Sequence, residues 1–250
     1  MLEEVRKYWN EKIHDEEIAK HPVGTKEFFD ELSEYHFEKL NYLPKFVDFS
    51  AYGGKKVLEI GCGLGIDLMK FAENGAIVTG VDIAEKSIEL ARKNFEVRNL
   101  KGTFEVMNAE ELKFEDNSFD VVFAQGVLQY APDPAKMVKE AHRVLKNKGV
   151  FILTVYNRHS WLNALSKISR VELEHVHAPV YRKFSFKEIR ELLKDFSKVE
   201  LKGERFPVAT RLHSGLKANL YNKVFIPAFN LIPKKIISPI GWHIAAKAYK

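Results

Sequence analysis

KVLEIGCGLGIDLMKFAENGAIVTGVD, residues 56–82, is the stretch that decides the fold. Lys56–Ile60 is a short apolar run of strand type, and Gly61, Gly63 and Gly65 follow it at once. Asp67–Asn74 then reads as a helix, and Ala76–Asp82 as a second apolar strand. Glycine suits the intervening turn because it accepts positive φ and lets a ligand approach the backbone. Sheets built from strand–helix–strand units bind ligands outside the carboxyl ends of their strands, where this turn sits.

The same alternation continues outward. Ala84–Asn99 is an amphipathic helix with Ile88, Ala91 and Phe95 along its inner stripe. Gly102–Met107, Phe119–Ala124 and Gly149–Tyr156 read as strands, and Pro134–Leu145 as a helix between the last two. Further on, Ser185 is placed to cap a helix over Phe186–Leu193. Lys198–Leu201 and His243–Tyr249 supply a sixth and a seventh strand. Strands alternating with helices imply parallel pairing through crossovers. The expected fold is therefore α/β, a doubly wound, seven-stranded, mostly parallel sheet. Residues 1–50, with a helix from Lys26 to Leu40 that Pro44 soon interrupts, are expected to form an N-terminal helical cap. Residues 51–250 would form the main domain, with 157–184 and 203–241 as insertions that cap the substrate. The later insertion holds four prolines and the apolar residues Phe206, Leu212, Leu216, Tyr221, Phe225 and Phe229, with Trp242 just beyond.

The glycine loop does not match the dinucleotide fingerprint. G-x-G-x-x-G needs glycine where Ile66 stands, and the third glycine arrives one residue early, at Gly65. Glu59 precedes the loop, where its charge opposes a pyrophosphate. A phosphate-binding P-loop is excluded because no Gly-Lys-Ser/Thr follows. Asp82 ends the second strand, placed to accept bonds from two ribose hydroxyls. Alternatively, it caps the next helix, and one side chain does not easily hold both roles.

Composition narrows the setting. A hydrophobic share of 46% is ample for a buried core without staples. Cys62 is the single cysteine, so no internal disulfide forms, and no Cys/His spacing resembles a metal site. The N-terminus has no apolar signal region, and no run reaches a membrane span; a cytoplasmic location is expected. The excess behind the net charge of +5 lies late in the chain, for example at Lys234-Lys235 and at Lys247 and Lys250, and Lys217, Lys223, Lys234 and Lys235 form basic flanks of the later insertion that would suit an acidic head group. The basic residues are not clustered as in a nucleic-acid binder; attraction to an anionic substrate or a peripheral membrane contact is the sharper reading, a solvated surface the plainer one.

Several of these segments resemble class I S-adenosylmethionine-dependent methyltransferases. VLEIGCGLG is similar to their first motif and VTGVDIAEKSIELAR to their second. NAEELKFEDNSFDVVFAQGVLQYAPD resembles the adenine loop and fourth strand, and HRVLKNKG the segment before the fifth. The likeness covers residues 54–156 and is closest to the branch with ubiquinone-type ring methylases. It implies S-adenosylmethionine as cofactor, with Glu59, Gly61, Cys62 and Gly63 around its methionine end and ribose. Asp82 would hold the ribose hydroxyls, Ile83 would pack on the adenine, and Asn108, Ala109 and Glu110 would run along the adenine edge. Gln125 and Gly126 would line the methyl-transfer site. Many relatives carry Asp at the place of Asn108, which keeps an acceptor but loses the charge. Many also carry histidine where Gln129 and Tyr130 stand, and its absence removes the obvious general base.

The implied activity is methyl transfer to a small-molecule acceptor that is apolar, aromatic or anionic. Rivals are a methyltransferase of nucleic acid or protein, and a cofactor-binding scaffold without turnover. Against the first, AQGV stands where amino-group nucleic-acid methylases carry N/D-P-P-Y/F. Candidates for acceptor contact are Tyr156, Arg158, His175 and His36, with His177 and Tyr35 nearby in sequence. His142 lies on a crossover helix away from the strand ends. The sequence is compatible with a monomer or a homodimer.

Overall fold

The computed structural model describes residues 1–169, 172–209 and 215–250. Leu212 lies outside them. Helices α1 (Leu2–Asn10), α2 (Lys26–Lys39) and α3 (Leu43–Val47) precede strand β1 (Lys56–Ile60). Then come α4 (Ile66–Glu73), β2 (Ile77–Asp82), α5 (Glu85–Val97), β3 (Thr103–Val106), β4 (Phe119–Gln125), α6 (Pro134–Val144) and β5 (Leu145–Tyr156). After them follow α7 (Trp161–Ser169), α8 (Phe186–Leu192) and β6 (Lys198–Glu204). A last helical stretch comprises α9 (Leu216–Leu220), a π-turn segment Tyr221–Phe225, α10 (Ile226–Asn230) and α11 (Lys234–Ile237), and leads to β7 (His243–Tyr249).

The seven strands form one sheet in the order β3-β2-β1-β4-β5-β7-β6. β1 to β5 pair in parallel, whereas β7 is antiparallel to both β5 and β6. The order reverses beside β1, so the crevice at its carboxyl end is the topological switch point. Strand residues alternate between two cores, as the pleat requires. Leu58, Ile60, Val122, Ala124, Phe151 and Leu153 meet Met137 and Ile189 on one face. Val57, Val121, Phe123 and Ile152 meet Leu43, Leu68 and Phe95 on the other. Each fully buried side chain of this size contributes roughly 1.5–3 kcal/mol.

Helix starts follow local chemistry. Thr25 accepts the Phe28 N–H at the start of α2, and Asp133 accepts those of Ala135 and Lys136 at the start of α6. Ser185 and Glu188 form a reciprocal capping box on α8. Two sequence expectations need amending. Pro44 opens a short helix, α3, from its first turn, where a missing N–H costs little. β6 runs to Glu204, past Gly203, because β7 pairs with it along its whole length. Gly203 is tolerated there for a reason of space: a Cβ would lie 1.6 Å from the Ser238 carbonyl oxygen.

Candidate active site

A cavity of about 250 Å³ opens at the carboxyl ends of β1, β2, β4 and β5. Glu59, Gly61, Cys62, Gly63, Asp82, Ile83, Asn108, Ala109, Glu110, Gln125 and Gly126 all line it. One wall is the glycine loop. The N–H groups of Gly61 and Cys62 both donate to the Val81 carbonyl, at 2.7 and 3.0 Å, which ties the loop to β2. Gly61 has φ +69°, and a Cβ there would lie 2.4 Å from a Val127 methyl. At Gly63, φ +48°, a Cβ would meet no atom within 4 Å, so this peptide is open to a ligand.

Asp82 resolves its two sequence readings in an unforeseen way. Its Oδ2 accepts the Gly63 N–H at 3.0 Å and its Oδ1 the Ala84 N–H at 2.9 Å. Ala84 is itself the N-cap of α5, so Asp82 is not the capping residue. Instead it clamps the loop to the helix start, and each oxygen retains a lone pair for a ligand. Burial raises its pKa, opposed by the backbone donors.

This wall is acidic. Glu59 is 2% exposed. Burial pushes its pKa well up, and the neighbouring Asp67 carboxylate pushes it further. Its Oε2 has no partner. A buried acceptor left unpaired costs about 1–3 kcal/mol, more when charged, so the site is built for a donor that arrives with a ligand. An ammonium group meets that requirement and a pyrophosphate does not. The amino-acid end of S-adenosylmethionine, with its ammonium, fits this orphan oxygen; its ribose diol fits the free lone pairs of Asp82. Asp67 belongs to the same wall, with Oδ1 3.0 Å from His36 Nε2. Along the adenine loop, Asn108 Oδ1 accepts the Glu110 N–H at 3.0 Å, and Glu110 Oε1 accepts the Asp133 N–H at 2.7 Å. Asn108 thus shapes its own turn, and Glu110 fastens that turn to the start of α6. Gln125 presents a second buried, unpaired oxygen, Oε1. Burial raises the Cys62 pKa, which keeps it a thiol.

The opposite wall comes from segments far apart in sequence. Trp9, His14, Asp15, Lys39, Tyr130, Tyr156, Glu174, His175, Arg205 and His243 all line the cavity. His14 Nδ1 and His175 Nε2 are 2.7 Å apart, and His175 Nδ1 is 3.1 Å from the Tyr8 hydroxyl. A bond between two ring nitrogens needs one bare nitrogen, so both rings cannot be protonated at once. Burial lowers both pKa values, that of His14 to about 4. Lys39 lies between Asp15, at 2.6 Å, and Glu174, at 3.7 Å, and Arg205 approaches Glu174 at 3.4 Å. Burial opposes the charge on Glu174, but Arg205 and Lys39 outweigh it and hold its pKa below the usual carboxylate range. Arg205 also faces His243 Nε2 at 3.2 Å. A guanidinium only donates, so this nitrogen accepts, and Nδ1–H donates to the Tyr42 oxygen at 2.8 Å. The Tyr130 hydroxyl donates to that of Tyr156 at 3.1 Å, and burial raises the Tyr156 pKa to about 12.

Of the four candidates for acceptor contact, Tyr156, His175 and His36 reach the cavity. Arg158 does not. It is half exposed, and its guanidinium binds Glu188 and the Lys183 carbonyl, both at 2.8–2.9 Å. It fastens the end of β5 to α8, and the expectation that it reads the acceptor is corrected. His177 is exposed beside Glu172, and His142 packs on Phe196 away from the cavity. The His175 ring lies beside the 129–130 turn, 6.2 Å from the Tyr130 ring, centroid to centroid. His14, Asp15, Lys39, Asp67, Glu174, Arg205 and His243 carry no motif that would have singled them out.

Fold and site together define a methyltransferase of the Rossmann-like kind. Residues 58–153 match the family described as "Methyltransferase domain". Over 171 residues the chain is 34% identical to the ubiquinone biosynthesis O-methyltransferase of Idiomarina loihiensis, covering 66% of this chain and 68% of that protein. The enzyme of the same name from Coxiella burnetii is 34% identical over 105 residues, which span 42% of this chain and 45% of the relative; the match thus reaches about half that relative's length. Magnesium protoporphyrin IX methyltransferase from Synechocystis PCC 6803, solved with bound SAH, superposes with a TM-score of 0.63 at 19% identity, covering 98% of both chains. A protein from Pyrococcus horikoshii gives 0.61 at 18% identity, covering 97% and 98%. Both structures share the fold. The chain belongs to the class I S-adenosylmethionine-dependent methyltransferases.

Proposed function

We propose that this chain transfers a methyl group from S-adenosylmethionine to a hydroxyl of a small, largely apolar or aromatic acceptor. The observation that carries the reading is one continuous cavity with an unpaired buried carboxylate oxygen on one wall and a paired imidazole couple on the other. Bound at the acidic wall, the cofactor supplies a methyl on positively charged sulfur, already activated for attack. Glu59 meets the ammonium, Asp82 the ribose hydroxyls, and Gly63 leaves its peptide open to close approach. Asn108, Ala109, Glu110 and Ile83 flank the adenine. Across the cavity, Tyr130, Tyr156 and Trp9 form an aromatic floor that aligns a flat acceptor and excludes water. Alignment of this kind is worth on the order of 7–11 kcal/mol.

His175 takes the hydroxyl proton. As the acceptor oxygen bonds to the methyl carbon, the carbon–sulfur bond breaks and its electron pair stays on sulfur, leaving S-adenosylhomocysteine. Nδ1 of His175 is the nitrogen at which an acceptor hydroxyl replaces that of Tyr8. His14 shares the resulting charge through the bond to Nε2, and Glu174 and Asp15 lie close enough to favour it. The ubiquinone-biosynthesis relatives, named as O-methyltransferases, agree with a hydroxyl acceptor.

Calorimetric titration with S-adenosylmethionine and S-adenosylhomocysteine, followed by turnover on a panel of phenols, tests this. Micromolar cofactor binding with methylated phenol as product is the expected result. Cofactor binding without turnover on any phenol would leave a scaffold, and no cofactor binding by folded protein would remove the reading altogether.

A further inference from the structure

The 216–240 stretch has apolar residues on both of its sides. Its inner side is spent on packing: Phe225 and Phe229 lie 6.1 and 5.9 Å from the Trp161 ring, and Phe229 lies 6.3 Å from Phe206. Its outer side carries Leu216, Leu220 and Val224 at four-residue spacing, then Leu231 and Ile236. These are 86%, 59%, 56%, 84% and 69% exposed. Seven of the thirteen exposed large apolar side chains among the described residues fall in this stretch, so the clustering is local to it. Large apolar patches on a surface mark a partner.

Charge says what kind of partner. From Arg205 to Lys250 the sequence has eight Lys or Arg and no Asp or Glu. The chain's whole positive excess therefore resides here, and the first 204 residues are slightly acidic by comparison. Lys223, Lys234 and Lys235 are exposed beside the apolar stripe. A nucleic acid would satisfy the lysines and leave the leucines in water. A protein partner would have to be uniformly acidic around an apolar centre. An anionic bilayer offers both chemistries on one flat surface: acyl chains for the stripe and headgroups for the lysines. Among the described residues no helix is long and apolar enough to cross a membrane. The segment would lie in the interface, not span it.

We propose that the outer face of residues 216–236 docks the protein on an anionic lipid surface. The inner side of the same stretch packs against Trp161, whose Nε1 donates to the carbonyl of Arg205, and Arg205 lines the cavity. Docking thus sets the membrane behind the acceptor wall, independently of which acceptor is methylated.

The test is co-sedimentation of the full chain with vesicles of phosphatidylcholine, with and without phosphatidylglycerol. Wild type should partition onto the phosphatidylglycerol vesicles and lose that binding as salt is raised. A combined Leu216→Glu, Leu220→Glu and Val224→Glu variant should partition at least about tenfold more weakly. Combined Lys223→Gln, Lys234→Gln and Lys235→Gln should weaken it by about tenfold or more. All six side chains are exposed, and calorimetry with S-adenosylmethionine on each variant checks that the fold and cofactor site are intact, so failure of docking is read separately from failure of the methyltransferase reading. Absence of wild-type partitioning, or equal partitioning by the leucine variant, would overturn the proposal. So would a dimer in light scattering that the leucine variant dissolves while wild type ignores vesicles; the face would then belong to a second copy.

Discussion

The two walls of the cavity were assembled in opposite ways. The acidic wall is nearly contiguous: Glu59 to Asp82 supplies its glycine loop and carboxylates, and two short stretches near residues 108 and 125 complete it. The facing wall draws single residues from α1, the loop before α2, α2 itself, the 130 turn, β5, the 174–175 turn, the end of β6 and β7. The first wall holds a group of fixed shape by backbone geometry. The second holds its own charges in place by mutual pairing. Substitutions on the two walls should therefore separate catalysis from cofactor affinity.

The largest effect should come from the facing wall. His175→Ala is expected to lower kcat by about 10²–10⁴-fold while the Kd for S-adenosylmethionine stays within about twofold. Because burial lowers the His175 pKa, the imidazole is already the free base at neutral pH. The rate of wild type should fall only as pH drops through a value below the usual histidine range, and that limb should vanish in the variant. Equal loss of affinity would place His175 with the structural residues.

Next, Asp82→Ala should raise the Kd for cofactor by about 100-fold, since two charge-assisted bonds are lost at roughly 1.5–3 kcal/mol each, partly offset by water. Calorimetry reads this directly, and an unchanged Kd would break the comparison between walls. Glu59→Gln should weaken cofactor binding by about tenfold. The same change should stabilise the ligand-free protein, because it removes a carboxyl whose ionised form is disfavoured by burial and by Asp67. A carboxyl whose folded pKa is raised binds its proton more tightly when folded, so wild-type stability falls as pH rises from the ordinary glutamate range through the folded pKa. Melting curves at about pH 5 and about pH 8 should diverge more for wild type than for the glutamine variant.

The smallest effect should be at Arg158. Its ion pair with Glu188 is exposed, so Arg158→Ala should cost at most about 1 kcal/mol of stability and leave kcat and KM as they were. A large kinetic loss there would restore the role that the sequence suggested.

This contrast also explains what could be read in the sequence. The sheet was legible because periodicity and glycine placement are local, and the acidic wall was legible because its residues follow one another along a strand and its turn. Arg158 misled because leaving a strand at its carboxyl end does not fix where a long side chain turns, and Glu188, thirty residues on, captured it. Lys39 reads as one more surface lysine on an amphipathic helix, yet it is 6% exposed. Its burial depends on Asp15 and Glu174, which only the folded chain brings to it. His14 and His175 are 161 residues apart and meet at 2.7 Å. No spacing rule spans that distance.

The position of β7 bears on how the molecule is made. His243–Tyr249 slots between β5 and β6, two strands that emerge from the ribosome earlier and face each other across a missing neighbour. Both carry an open edge until those residues arrive, so the sheet closes late, through contacts of long sequence separation that slow folding. His243 brings its link to Tyr42 with it, joining early and late parts of the chain. The acidic wall can be in place on the nascent chain, whereas the facing wall is finished by the seventh strand, and a partly synthesised copy cannot yet enclose an acceptor.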